Sequence, residues 1–221
     1  MKRTVKSKAR RTKYNKANTT KVSVVKVLTP SQIEMIDSID NDRDRSICQI
    51  LLDTGLRVDE LANLNYIDVY SDIRRNQVLD VITLVGKGNK ERQVPLTDRA
   101  KAAIKAIHRY NKKELGTKID KHCPLLISRN LNRLHTNTIR LMIQTELASN
   151  PHVFRHTCFT NLRKAGVRLE VIQKIAGHSS ISTTEKYYLS VNTEDLKDAV
   201  RASTTLDAIA NTVSNTKLRI A

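Results

Sequence analysis

One stretch of this chain reads as extended backbone. Residues 78–85, Val-Leu-Asp-Val-Ile-Thr-Leu-Val, are β-branched and apolar, and Arg92-Gln93-Val94-Pro95-Leu96 resumes that character after a glycine-rich turn. The pair predicts a β-hairpin with its loop at residues 87–90. Elsewhere the apolar residues fall at helical spacing, so the expected fold class is mainly α with a small antiparallel β-hairpin or sheet, an α+β arrangement. At 221 residues and 39% hydrophobic content the chain can bury a core of that kind.

The helix boundaries carry explicit signals. Thr29-Pro30-Ser31-Gln32 places a capping residue, a proline at the first helical position and a glutamine that completes a capping box. Ile33, Ile36 and Ile39 follow at helical spacing. A second helix is expected over about 43–54, with Ile47, Ile50, Leu51 and Thr54 on one face and Gly55 closing it, and a short third one over 58–64. Beyond the hairpin, Ala100, Ala103, Ile104 and Ile107 form a stripe, and further helices are expected over about 136–148, 151–165, 168–176 and 180–189. Asn150-Pro151, Gly166 and Gly177 separate them. Leu206, Ile209, Ala210 and Val213, after Thr204-x-x-Asp207, predict a C-terminal amphipathic helix.

The charge is one-sided. Lys and Arg number 39 against 22 Asp and Glu, a net charge of +17. Residues 1–26 alone supply ten of the cations, from Lys2 to Lys26, and no acid. Such a segment repels itself and buries little, so residues 1–27 are expected to be a flexible basic arm until a polyanion neutralises it. Each neutralised phosphate releases counterions, which makes nucleic acid the natural partner; a solubilising tail is the plainer alternative. With 4% aromatics and no Trp, single strands held by base stacking fit poorly, and double-stranded DNA fits better.

Other classes recede on composition. The longest apolar runs fall far short of the roughly 18 residues a membrane span needs. The basic N-terminus lacks the apolar stretch of a signal peptide. Three scattered cysteines, Cys48, Cys123 and Cys158, fit neither a disulfide scaffold nor a CxxC metal site. A soluble cytoplasmic protein associated with the nucleoid, without membrane contact, is the expectation.

Four segments hold charged or nucleophilic groups beside turn-forming glycines. They are Thr54-Gly55-Leu56-Arg57-Val58-Asp59-Glu60-Leu61, Gly86-Lys87-Gly88-Asn89-Lys90-Glu91-Arg92, Pro151-His152-Val153-Phe154-Arg155-His156, and Gly177-His178 leading to Tyr187-Tyr188. Singly each has an ordinary explanation. Arg57 would serve as a surface ion-pair partner, Lys87 as a solvated turn residue, His152 and Arg155 as neighbours on one helix face, and the tyrosines as packing.

Together and in this order they resemble the tyrosine recombinase (phage integrase) family, over about residues 28–200. The most specific elements are TGLRxxEL, GKGNKERxVPL, and PHVFRHT followed by GHSSISTTEKYY, with Tyr187 nine residues after His178. The resemblance implies that Arg57, Lys87, His152, Arg155, His178 and Tyr187 are catalytic, that Glu60 supports Arg57, and that His156 is not catalytic. It further implies a catalytic domain over 28–202, a helical tail over 203–221, and a 3′-phosphotyrosine intermediate that conserves bond energy, so that neither metal, ATP nor other cofactor is expected. Lys90 and Arg92, with Lys8, Arg10 and Arg11 in the arm, are expected to meet DNA, chiefly its phosphates.

The chemistry wants these residue types. Attack on a phosphodiester loads negative charge onto the non-bridging oxygens, which two planar guanidiniums can grip. A tyrosine hydroxyl, largely protonated at neutral pH, needs a proton acceptor, for which His152 is the candidate. Lys87 could protonate the departing 5′ oxygen, and His178 could donate to a phosphate oxygen.

The family also implies a homotetramer on DNA, with the 206–213 stripe packing either in trans or in cis, and allows an accessory DNA-bending protein. Its members usually carry a further N-terminal helical domain. About 28 residues precede the catalytic domain here, so either a fragment or a small recombinase with its arm as a clamp is expected. Two competing functions share these residues: a DNA-binding regulator that occupies a site without cutting it, and a type IB topoisomerase, although the His-x-x-Arg form is the recombinase version.

Overall fold

The computed structural model describes residues 26–85, 91–116 and 118–177. Its elements run α1 (Pro30–Asp37), α2 (Asp42–Thr54), α3 (Val58–Asn63), α4 (Tyr66–Val69), β1 (Tyr70–Asp72), β2 (Gln77–Val78), β3 (Val81–Val85), β4 (Glu91–Pro95), α5 (Asp98–Glu114), α6 (Thr136–Leu147), α7 (Pro151–Lys164) and α8 (Leu169–Ala176). The predicted helix over 180–189, the C-terminal helix, most of the basic arm and the hairpin loop lie outside the described residues.

Helix α2 is the hub because its apolar residues cluster over 47–52 and are covered from several sides, while its charged residues lie toward its two ends. Ile47, Cys48, Ile50, Leu51 and Leu52 are all buried, and the helix packs chiefly on α5 and α7, with α1 and α6 closing around it. Its ends follow from chemistry: the Asn41 side chain accepts from the Arg43 and Asp44 N–H groups, and Gly55 closes the helix at φ 62°. The expected capping box of α1 is present, and the Gln32 amide also donates to the Leu147 carbonyl at 2.8 Å, tying α1 to the end of α6. Just before α1, the Leu28 N–H donates at 2.8 Å to the Thr157 hydroxyl of α7, which itself donates to the Val153 carbonyl.

The expected single strand over 78–85 is two strands. The ladder breaks at Leu79-Asp80: the Leu79 N–H goes to the Val69 carbonyl, while the Asp80 carbonyl accepts from Leu96. β2 therefore pairs with β1, and β3 pairs antiparallel with β4 in the register Ile82 to Val94 and Leu84 to Arg92. Aspartate disfavours strand interiors, and here Asp80 turns out to meet Lys101 on α5 at 3.0 Å. α4 and β1 had no signal in the sequence reading. They form because Tyr66, Val69 and Tyr70 bury against His108 and Asn111 of α5, with the Asn111 amide donating to the Tyr66 hydroxyl.

Candidate active site

The site begins where α2 stops. Leaving the helix in a left-handed turn at Gly55 puts Arg57 at the N-cap of α3, with its side chain 41% exposed. A side chain at Gly55 has no room: a Cβ there would lie 2.8 Å from the Phe159 ring. Glu60, in the first turn of α3, reaches back to accept from the Arg57 backbone N–H at 2.8 Å through Oε2, while Oε1 takes the Arg57 guanidinium at 2.8 Å. One carboxylate thus caps the helix and aims the arginine.

Arg92 arrives from β4. Its Nη2 donates to Glu60 Oε2 at 2.6 Å, its Nε donates to the Ile175 carbonyl at 3.0 Å, and its side chain is 7% exposed. Arg92, expected at DNA phosphates, is placed by strand alternation on the inward face with Val94, where a guanidinium finds internal partners. Burial alone would raise the Glu60 carboxyl, but hydrogen bonds from the Arg92 guanidinium and from the Arg57 N–H and guanidinium outweigh it, leaving the carboxyl below its ordinary range.

Helix α7 supplies the third guanidinium. Asn150 caps it, accepting from His152 and Val153, so His152 stands exposed in the first turn. Arg155, one turn on, is 6% exposed; Nη1 donates to the Gly55 carbonyl and Nη2 to the Ala176 carbonyl, each at 2.5 Å, and its plane lies 4.7 Å above the centre of the Phe159 ring. These two carbonyl bonds fix the orientation of its planar fork. Burial, with lesser help from His152 and Arg155, lowers the His156 pKa and favours its neutral form. The Cys158 thiol, buried beside Asp53, is pushed up to about 12, so no thiolate competes for chemistry here.

These contacts close a circuit. Arg57 holds Glu60, Glu60 holds Arg92, Arg92 holds Ile175, the next carbonyl holds Arg155, and Arg155 returns to Gly55, two residues before Arg57. Segments 121 residues apart in sequence, at Gly55 and Ala176, thereby share one small region with three guanidiniums and one carboxylate. Such an excess of fixed positive charge suits an anion, and phosphate above others. Arg57, Glu60, Arg92 and Arg155 are brought together, and His152 lies on the same helix as Arg155. Lys87, Lys90, His178, Tyr187, Lys8, Arg10 and Arg11 lie outside the described residues. Sequence reasoning missed the anchoring carbonyls of Gly55, Ile175 and Ala176, which no side-chain pattern announces.

Comparison with known proteins points the same way. The model of the phage integrase family matches residues 26–195. The chain belongs to the phage integrase family. The tyrosine recombinase XerC of Caldanaerobacter subterraneus subsp. tengcongensis is 32% identical over 179 residues, 76% of this chain and 47% of that protein. The tyrosine recombinase XerA of Pyrococcus horikoshii is 32% identical over 196 residues, 85% of this chain and 64% of that one. This phage integrase family chain thus spans about half to two thirds of the curated relatives it matches. A crystal structure of XerA recombinase superposes with a TM-score of 0.63 at 28% identity, covering 80% of this chain and 62% of that one. The XerH recombinase bound to its difH substrate has the same fold, with a TM-score of 0.62 at 21% identity over 80% of this chain and 54% of that one.

Proposed function

We propose that this phage integrase family chain cleaves and rejoins double-stranded DNA at specific sites, through a covalent bond between Tyr187 and a 3′ phosphate. The observation that carries the reading is the circuit joining Arg57, Glu60, Arg92 and Arg155, which orients guanidiniums from distant segments around one position before any substrate arrives. Arg57 and Arg155 grip the non-bridging oxygens of the target phosphate. His152 accepts the Tyr187 proton as the phenolic oxygen attacks phosphorus. The 5′ oxygen leaves with a proton from Lys87, and His178 donates to a phosphate oxygen. Rejoining is the reverse, with a 5′ hydroxyl attacking the phosphotyrosine. These residues need no metal or nucleotide cofactor for either half.

The curated relatives are named for recombination, and several solved neighbours, such as XerH and the Tn1549 integrase, are complexes with their own DNA. The basic arm supplies sequence-independent affinity through contacts such as Lys8, Arg10 and Arg11, Lys90 touches phosphate, and a homotetramer assembles on two duplexes, joined where required by a DNA-bending protein. An association with the nucleoid follows from those contacts.

The deciding experiment uses nicked duplexes cut from the DNA flanking the coding region, with the nick placed so that the 5′ product diffuses away. A covalent adduct on the 3′ phosphate that disappears in Tyr187→Phe is expected. Binding without an adduct would make the protein a regulator, and relaxation without exchange between two sites would make it a topoisomerase. Removal of residues 1–26 should flatten the salt dependence, each lost phosphate contact removing a slope of about 0.9 on a log–log plot.

A further inference from the structure

We infer that Arg92 is a positioning residue for the cleavage step: bonded to Glu60 on one side and to the Ile175 carbonyl on the other, it fixes the Arg57 guanidinium relative to the C-terminal end of α8. The inference deepens the proposed recombinase reading and rests on it.

The geometry is two-sided. Nη2 meets Glu60 Oε2 at 2.6 Å and Nε meets the Ile175 carbonyl at 3.0 Å, so one rigid guanidinium spans α3 and α8. Its stem fills the space above Gly177, where a Cβ would lie 2.7 Å from the Arg92 Cδ. The last turn of α8 therefore fits against this side chain, and a substituent there would force the Arg92 stem to shift. Glu60 has both oxygens occupied, Oε1 by Arg57 and Oε2 by Arg92 together with the Arg57 N–H. Removing Arg92 strips the carboxylate of its one partner beyond Arg57 among the described residues.

The α8 side is equally exposed to loss. α8 has eight residues, and among the described residues its apolar anchor is the small group of Cys158, Phe159, Ile172 and Ala176. Its last carbonyls are each met by an arginine, Ile175 by Arg92 and Ala176 by Arg155. Where cations sit on a helix C-terminus they also meet the negative end of its dipole. Arg92 thus holds in register both the arginine that Glu60 orients and the helix end that Arg155 grips. A lysine would keep the charge but not the planar fork, so it satisfies one side and not both.

The experiment compares wild type, R92A, R92K, E60Q and R92A/E60Q. Single-turnover cleavage of the nicked duplex at saturating DNA, Kd for the same duplex, and amide hydrogen exchange of residues 169–177 in the free protein are measured. Loss of positioning of this kind costs on the order of 10²-fold in rate. R92A is expected to lose that much in cleavage, with Kd changed less than roughly threefold and faster exchange confined to α8. R92K should recover part of the rate. R92A/E60Q should be no slower than the slower single variant, because both break one link.

R92A or R92K cleaving at the wild-type rate would overturn the inference. So would a Kd that weakens as much as the rate, the mark of a direct phosphate ligand, or losses that multiply in the double variant. If R92A does not fold, R92K against wild type decides. If wild type forms no adduct, the recombinase reading fails, while unchanged exchange in α8 would separately sink the clamp.

Discussion

In the main core, α2 meets α5 and α7 through side chains such as Ile47, Ile50 and Leu51 that are sealed from solvent, whereas α8, among the described residues, rests on a small apolar cluster around Ile172 and Ala176 and on two guanidiniums at its terminal carbonyls. The first region is held by area, which is non-directional and resists any single small displacement. The second is held by direction. Bonds of that kind fix orientation closely and contribute modestly to stability, so the corner bearing the site can lose its geometry while the core remains folded.

That contrast can be broken most forcefully from the core side. Leu51→Ala removes a fully buried side chain at the hub and should cost about 3–5 kcal/mol, read as a shift of the whole denaturant transition. Ile172→Ala in α8 should cost about 2–4 kcal/mol, yet appear first as faster hydrogen exchange in residues 169–177 while α2 amides stay protected. Exchange that accelerates in both helices together would mean the two regions are one cooperative unit.

Gly55→Ala should cost about 1–2 kcal/mol, for a left-handed residue pressed on the Phe159 ring. Because Arg155 lies on that ring, the cleavage rate should fall by more than the stability loss explains. A weaker signal comes from pH. The folded Glu60 carboxyl lies below its ordinary range, so its stabilisation is present above that range and is lost as pH falls through the lower folded value. Wild type and E60Q should therefore differ in stability at neutral pH and converge on acidification; a constant gap would assign the difference to packing. The smallest effect is expected for Arg140→Ala, which breaks an exposed pair with Asp59 at 3.1 Å and should change stability by no more than about 0.5 kcal/mol.

Much of the fold was legible because its helices announce their ends chemically: Thr29 with Gln32, Asn150 with Pro151, and the glycines at 55 and 177 each stand where the structure stops or starts an element. The hairpin was legible too, but not its split: one aspartate, Asp80, interrupts the apolar run, and the division shows only in the partners, Val69 for Leu79 and Leu96 for Asp80. α4 and β1 escaped because their formation rests on α5, far along the chain. In the site, Arg57, Glu60 and Arg155 follow from motif order. For Arg92, the charge pointed to DNA phosphates, while the alternation Arg92, Val94, Leu96 points to the core side. Inside a sheet, periodicity sets which face a side chain takes, whatever its charge.

The hydrogen bond from Leu28 to Thr157 gives the basic arm a root on the very helix that carries His152 and Arg155. Any pull along the arm is therefore delivered to α7 five residues beyond His152 and two past Arg155. Shortening the chain ahead of that anchor removes cations; cutting past it also takes the Leu28 N–H from the Thr157 hydroxyl, and the two operations would report on different parts of the machine.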